Sequence, residues 1–361
     1  MTIQRKFTEM FGIELPIVQA PMAGSSDVEL AIAVSEAGGL GSLPCAMSTP
    51  DQVRASVRGI REQTARPVNL NFFCHRSPAP DAERERRWRE RFAAYYAELG
   101  LDSSAAASVP NRKPFDDAMC DVVVDLRPEV VSFHFGLPPK SLFTAVRATD
   151  ARIISSATTV KEARWLEAEG CDAVIAQGFE AGGHRGMFLA TDPWTQVGTL
   201  ALVPQIVDAV KVPVIAAGGV GDARAIVAAF ALGASAVQIG TAYLQCPEAR
   251  TSPVHRKALE TTRDDQTVIT NVITGRPARG IVNRVIRDIG PINPLAPEFP
   301  RAYEALASLR VHAEKNGRDD YSPLWAGQAA PMCREIPAGT LTKMLFEEAV
   351  TLMNALGAAQ L

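Results

Sequence analysis

The sequence predicts a (β/α)8 barrel with a subdomain inserted over one end. Three observations carry that reading. Short apolar runs alternate with helical patterns from end to end, eight of the runs have strand character, and a long stretch after the eighth loses the period before a last helical pattern returns. Strand–helix alternation argues a parallel sheet with right-handed crossovers. Eight units argue closure into a barrel. A doubly wound open sheet is the alternative, but the G-x-G-x-x-G turn it would carry after its first strand is missing.

In order, strands one to eight are expected at Pro16 to Ala20, Leu40 to Leu43, Val68 to Phe72, Val130 to His134, Arg152 to Ser155, Ala173 to Ala176, Val212 to Ala217 and Ala236 to Ile239. Helices are expected between them. In Asp27 to Ala37, Leu30, Ala31, Val34 and Ala37 fall on one face, and Val160 to Glu169 and Asp222 to Leu232 behave similarly. Gly38, Gly170 and Gly233 follow these segments, where a left-handed C-cap is wanted.

The rhythm breaks twice. The run Asp81 to Arg91, continuing through Phe92, Tyr95, Tyr96 and Leu99, reads as one long amphipathic helix with a solvated charged face. The Pro- and Arg-rich stretch from about Pro247 to Ala338 reads as the inserted subdomain. From Thr340 a helix with Leu341, Met344, Leu345, Val350, Leu352, Met353 and Leu356 at helical spacing is expected to supply the eighth crossover. The barrel is thus assigned residues 1–246 and 340–361, and the substrate-side subdomain 247–339.

Composition narrows the function. The chain has 361 residues, 47% hydrophobic and 21% charged, the balance of an ordinary globular protein. With 37 Lys and Arg against 40 Asp and Glu, the net charge of −3 implies no basic face for nucleic acid or anionic membrane. The N-terminus lacks the apolar core of a signal peptide, and no apolar run reaches the ~18 residues that span a bilayer. The six cysteines are scattered without zinc spacing, so reduced thiols, no metal site and a cytoplasmic location are expected.

Barrel active sites gather at the C-terminal ends of the strands. There the chain reads Gln19-Ala20-Pro21-Met22-Ala23-Gly24 after strand one, Asn71 after strand three and His134-Phe135-Gly136 after strand four. Strand six runs into Gln177-Gly178-Phe179-Glu180-Ala181-Gly182-Gly183-His184-Arg185-Gly186. Strands seven and eight end in Gly218-Gly219-Val220-Gly221-Asp222 and Gln238-Ile239-Gly240-Thr241. Two glycine turns on adjacent strands expose backbone N–H groups at helix starts, which suits a phosphate dianion; tight turns after buried strands are the alternative. Gln177 and Asn71 are amides able to donate and accept, as the edge of a flavin would require, or able merely to cap loops. His184 follows a loop too small in side chain to bury it, so its imidazole is expected in the barrel mouth, where it can accept a proton at neutral pH. His134 is a second candidate; His75, His255 and His312 have no such setting. In the insert, Tyr303, Tyr321 and Trp325 either roof the substrate pocket, with Tyr303 and Trp325 as its contacts, or form a small core.

Together these residues resemble the nitronate monooxygenase family over nearly the whole chain. The carriers are Gln19 to Gly24, Ala33-Val34-Ser35-Glu36-Ala37-Gly38-Gly39-Leu40-Gly41, His134-Phe135-Gly136-Leu137-Pro138-Pro139, Gln177 to Gly186 and Ala217-Gly218-Gly219-Val220-Gly221-Asp222-Ala223-Arg224. The Gly-Gly-His-Arg-Gly form and Thr274-Gly275-Arg276-Pro277-Ala278-Arg279-Gly280 look like its class I branch. One departure is Ala223-Arg224-Ala225, where many relatives carry another glycine.

The resemblance implies a TIM-barrel flavoprotein holding FMN without a covalent link. Met22, Asn71, Gln177, Gly182, Gly219, Gln238, Gly240 and Thr241 would line the FMN, with Gly183, Gly218 and Ile239 counted in the same turns. His184 would be the base near the flavin N5, with His134 in the same pocket. The implied reaction is oxidation of an alkyl nitronate, typically propionate 3-nitronate, by O2 to a carbonyl compound plus nitrite or nitrate. A homodimer is the assembly considered. Rival readings on the same barrel are an FMN-dependent enoyl-thioester reductase or NAD(P)H:quinone reductase, which would use NAD(P)H rapidly. An IMP dehydrogenase-like activity lacks its loop cysteine, and a flavin-binding module without chemistry would gain nothing from His184.

Overall fold

The computed structural model describes residues 2–102 and 112–358. Residue 1, residues 359–361 and the 103–111 stretch, which belong to the expected barrel range, lie outside the described residues. The eight barrel strands are Ile17–Gln19, Gly41–Pro44, Val68–Phe73, Val130–His134, Arg152–Ala157, Ala173–Gln177, Val214–Ala217 and Ala236–Ile239. All pair in parallel, in the order one, eight, seven, six, five, four, three, two. A parallel bridge between Val18 and Leu40 joins strand one to the start of strand two, closing the (β/α)8 barrel.

Near-continuous apolar strands are what a sheet buried on both faces requires. In strand six, Val174 and Ala176 pack outward with helix residues such as Leu166, Ile206 and Ile226. Ala173 and Ile175 point the other way, into an inner core with Val130, Ile154, Ile215 and Ala236. Phe7 and Phe11 complete that inner core from an N-terminal helix, Ile3–Phe11, that plugs one end of the barrel. Nothing in the sequence reading anticipated it: a nine-residue segment whose apolar partners are spread over six distant strands has no local signal of its target.

The crossover helices include Val28–Glu36, Val160–Ala168 and Ala223–Ala231. Thr159 caps the second by accepting from the Glu162 N–H, and Asp222 caps the third by accepting from the Arg224 N–H, so Ala223 starts a helix without needing a glycine. The last helix, Ala338–Ala358, packs between Val28–Glu36 and Ala223–Ala231 as the crossover that completes the ring.

Two expectations need correcting. The run Asp81 to Leu99 forms two helices, Ala82–Glu90 and Ala93–Glu98, with the chain turning at Arg91 and Phe92. Their aromatic side is not a barrel face: Trp88, Phe92, Tyr95 and Tyr96 share a second core with Tyr303, Leu306, Leu309 and Tyr321. Trp88 Nε1 donates to the Ala302 carbonyl (3.0 Å) and the Tyr96 hydroxyl to that of Ala305 (3.1 Å). The subdomain is therefore built from two chain segments, because an aromatic stripe shows that a helix has a partner without showing which.

Candidate active site

A cleft of about 200 Å³, continuous with solvent, opens at the C-terminal ends of the strands. Met22, Asn71, Gln177, Gly182, Gly183, Gly218, Gly219, Gln238, Gly240 and Thr241 line it, as do His134, His184 and Trp325. Two expected residues do not. Ile239 is 1% exposed and packs in the outer core, since strand alternation turns it away from its neighbour Gln238. Tyr303 belongs to the subdomain core, where its hydroxyl accepts from Arg310 Nη1 (3.1 Å).

The segment bearing His184 is held rather than flexible. Gly183–His184 forms a short strand paired antiparallel with Ala278–Ile281, the inner strand of a subdomain hairpin whose other arm is Thr267–Thr270. From below, the Gln177 side chain donates to the His184 carbonyl (2.9 Å) and accepts from the Gly186 N–H (2.7 Å). Arg185, fully buried, donates to the carbonyls of Gly178 (2.6 Å) and Gln177 (2.7 Å). Glu162, also fully buried, accepts from the N–H groups of Thr158, Phe188 and Leu189 and from the Thr158 hydroxyl. Glu180 accepts from the Thr199 N–H and hydroxyl, covering the start of helix Thr199–Val207. Gly182 permits a close approach, since a Cβ there would stand 2.5 Å from Gly327 N, and at Gly178 a Cβ would stand 1.9 Å from Thr199 Oγ1. Gln177 and Arg185 thus hold the segment that carries His184, while Glu180 ties the loop to the start of helix Thr199–Val207.

The His184 ring lies among Phe299 (5.2 Å between centroids), Trp325 (5.5 Å), Phe135 (5.9 Å) and Phe73 (6.3 Å). Its Nε2 is 2.9 Å from Thr274 Oγ1, and that hydroxyl is 3.4 Å from the Arg276 carbonyl. Burial, then the charges of Arg112, His134, Arg276 and His75, hold the His184 pKa well below 6.5. His134 bonds Ser156 Oγ through Nδ1 (3.0 Å) and the His184 carbonyl through Nε2 (3.3 Å). Burial and the Arg276 charge lower its pKa to about 3. Both imidazoles are neutral at pH 7. Phe135, beside them, adopts a left-handed φ of 72°, which a phenylalanine keeps only where its surroundings enforce it. Here the Arg276 guanidinium lies 4.0 Å from its ring centre, with Phe73 at 4.8 Å.

The cleft has the features a flavin phosphate ester would use. Gly218 (φ 112°) and Gly219 (φ 72°) turn the chain after strand seven through left-handed backbone that favours glycine, and a Cβ at Gly218 would stand 3.0 Å from Ala181 N and Thr199 Oγ1. Gly240 follows the adjacent strand eight. Gln238 lines the same wall, and its Oε1 is buried with no hydrogen-bond partner, an acceptor awaiting a donor. Asn71 donates to the Ser132 side chain (2.9 Å), and Gln177 is committed to its loop, so their amides are less free than the sequence implied. Among the described residues the lining carries no carboxylate; its one permanent charge is Arg112.

Arg112, Thr274, Phe73 and Phe299 were not singled out from the sequence. Thr274 and Arg276 stand in a segment noted for its resemblance alone. Arg112 had no local signal, because its setting is made by residues far along the chain.

A model of the nitronate monooxygenase family matches residues 4–348. A nitronate monooxygenase of Pseudomonas aeruginosa is 43% identical over 345 residues, covering 95% of this chain and 98% of the relative. One of Paraburkholderia phytofirmans is 40% identical, covering 96% and 95%. Among solved structures, nitroalkane oxidase from Streptomyces ansochromogenes is similar with a TM-score of 0.88 at 38% identity, over 97% of this chain and 99% of that one. FabK from Thermotoga maritima is similar with a TM-score of 0.73 at 28% identity, over 98% of each chain.

Proposed function

The chain belongs to the nitronate monooxygenase family, an oxidoreductase family, and on that footing we propose that it binds FMN non-covalently in the barrel mouth and oxidises alkyl nitronates with O2 to a carbonyl compound plus nitrite or nitrate. The observation that carries this reading is the character of the cleft wall: a guanidinium, two neutral imidazoles and no carboxylate among the described residues. Such a wall favours an anionic substrate. A bound flavin supplies the electron acceptor that passes reducing equivalents to O2.

The turns at Gly218, Gly219 and Gly240 would hold the phosphate, and Gln238 Oε1 would accept from the ring system. The aromatic enclosure of Phe73, Phe135, Phe299 and Trp325 keeps water from the reacting carbon. His184 acts as base when a neutral nitroalkane enters. The Arg276 carbonyl accepts a hydrogen bond from the Thr274 hydroxyl, so Thr274 Oγ1 accepts from Nε2–H and leaves Nδ1 with its lone pair for the substrate. A depressed pKa alone would make this imidazole a reluctant acceptor. Proton transfer, however, creates a nitronate anion beside the imidazolium, and that pairing offsets the depression.

Anaerobic mixing with propionate 3-nitronate, and separately with NADH, tests the reading. The expected result is a yellow protein that releases FMN, not FAD, on denaturation and whose flavin is bleached rapidly by the nitronate and slowly by NADH. Rapid bleaching by NADH alone would favour a reductase, the activity class considered for the same barrel.

A further inference from the structure

Arg276 stands behind the cleft wall, yet it touches three of the segments that make the surroundings of His184. Its guanidinium lies 4.0 Å from the Phe135 ring centre, at the turn that follows strand four. Its Nη2 donates to the carbonyl of Met187, three residues past His184. Its own carbonyl lies 3.4 Å from the Thr274 hydroxyl, which in turn meets His184 Nε2, and the next carbonyl, of Pro277, accepts from the Arg185 N–H (2.8 Å). Nε is buried and makes no hydrogen bond. Burial lowers the Arg276 pKa to about 10, which leaves the group charged at neutral pH, and the charge of Glu162 opposes that lowering. A partly desolvated cation with an idle N–H is costly to keep. The contacts it does make converge on the two imidazoles.

Phe135 is the intermediary. Its ring centre lies 4.4 Å from that of His134 and 5.9 Å from that of His184, and its left-handed φ of 72° needs support from its neighbours. His134 is tied to the same frame. A carbonyl only accepts, so His134 Nε2 carries the hydrogen given to the His184 carbonyl, and Nδ1 accepts from the Ser156 hydroxyl. A protonated His134 would break that pattern and set a charge beside the base. The Arg276 charge opposes this: after burial it is the next cause of the low His134 pKa, and with Arg112, His134 and His75 it also lowers that of His184.

Resting on the base role proposed for His184, we propose that Arg276 is a positioning residue: its single planar guanidinium joins the Phe135 turn to the Met187 end of the His184 segment and keeps the base seated against Thr274. Planarity matters, because one face lies over an aromatic ring while the edge donates to a carbonyl. A lysine ammonium keeps the charge but cannot do both, so charge and clamp are separable by substitution.

The test follows kcat and KM against pH for nitroethane and for its preformed nitronate, in the wild-type holoenzyme, Arg276→Lys and Arg276→Met. ¹⁵N NMR titration of the His134 and His184 rings gives a readout independent of turnover. His184 works unprotonated, so nitroethane turnover is lost as pH falls through its pKa, and the wild type should hold its kcat at pH 6.5. In Arg276→Met the acid limb and both ring titrations should move to higher pH. Its plateau kcat on nitroethane should fall roughly ten- to a hundred-fold with KM little changed, since a charge-assisted bond and a stacking contact are both gone. Arg276→Lys should lose a similar factor in kcat but keep the wild-type limb and ring titrations. The nitronate should be affected far less by either change. Ring titrations that ignore Arg276→Met, a wild-type rate in Arg276→Lys, or equal losses on the two substrates would overturn the assignment. Flavin content and melting temperature show that each variant is folded; if Arg276→Met is not, Arg276→Gln, neutral but able to donate to the Met187 carbonyl, takes its place for the pH shift. If the wild type oxidises neither substrate, the functional reading fails, while the ring titrations still decide whether Arg276 governs the two imidazoles.

Discussion

Thr274→Val is the most informative single change at the base. Valine keeps the shape of threonine and removes the hydroxyl that meets His184 Nε2 at 2.9 Å. Two effects follow. The tautomer with Nδ1 free loses the bond that selects it, about 1 kcal/mol for a neutral hydrogen bond, or roughly five-fold in population. The Nε2–H is also left without a partner in an aromatic enclosure, which loosens the ring's orientation at a further cost of about 1 kcal/mol. Together these predict a fall of roughly ten- to fifty-fold in kcat/KM for a neutral nitroalkane. His184→Asn should lose more, about 10²–10⁴-fold. Preformed nitronate, whose proton is already gone, should be affected far less by either change. The assay is steady-state kcat/KM for the nitroalkane and its nitronate across wild type, Thr274→Val and Thr274→Ser, with ¹⁵N NMR of the His184 ring reporting the tautomer. Thr274→Ser should restore both rate and tautomer. Equal losses on the two substrates, or an unchanged ¹⁵N spectrum in Thr274→Val, would refute the argument.

Three further outcomes are expected. Glu162→Gln replaces an oxygen that accepts two hydrogen bonds by an amide that donates, so about 3–5 kcal/mol of stability should be lost, a melting temperature lower by roughly 10 °C in differential scanning calorimetry. Tyr303→Phe loses its bond to Arg310 and should cost about 1 kcal/mol while leaving KM for uncharged nitronates in place; a raised KM with unchanged stability would return Tyr303 to the substrate pocket. His75 and His255, each 5% exposed, have pKa values lowered by burial to about 4. The unfolded chain binds their protons first, so stability should be full above pH 6.5 and fall toward pH 4 at about 1.4 kcal/mol per pH unit for each. Urea unfolding across that window, with His75→Gln and His255→Gln flattening the slope, checks it.

The order of the fold was legible because its signals are local. Apolar runs such as Val130 to His134 and Ala236 to Ile239 must be strands wherever they stand, since a barrel buries them on both sides, and Gly38, Gly170 and Gly233 end helices by their own backbone freedom. The rim residues Gln177, His184, Gly218, Gly219, Gln238 and Gly240 were found the same way, because barrel geometry places whatever follows a strand at the mouth. Tertiary structure alone decided what each side chain does there. That Gln177 spends its amide on the His184 loop depends on how that short loop folds back over the strand end, while the hairpin strand Ala278–Ile281 that holds the loop and the support of Arg112 by Tyr303 depend on contacts across tens to hundreds of residues. Side-chain type sets which bonds a group is able to make; which of them it makes, and whether a charge such as Arg112 is left unpaired, depends on neighbours that only the folded chain brings within reach.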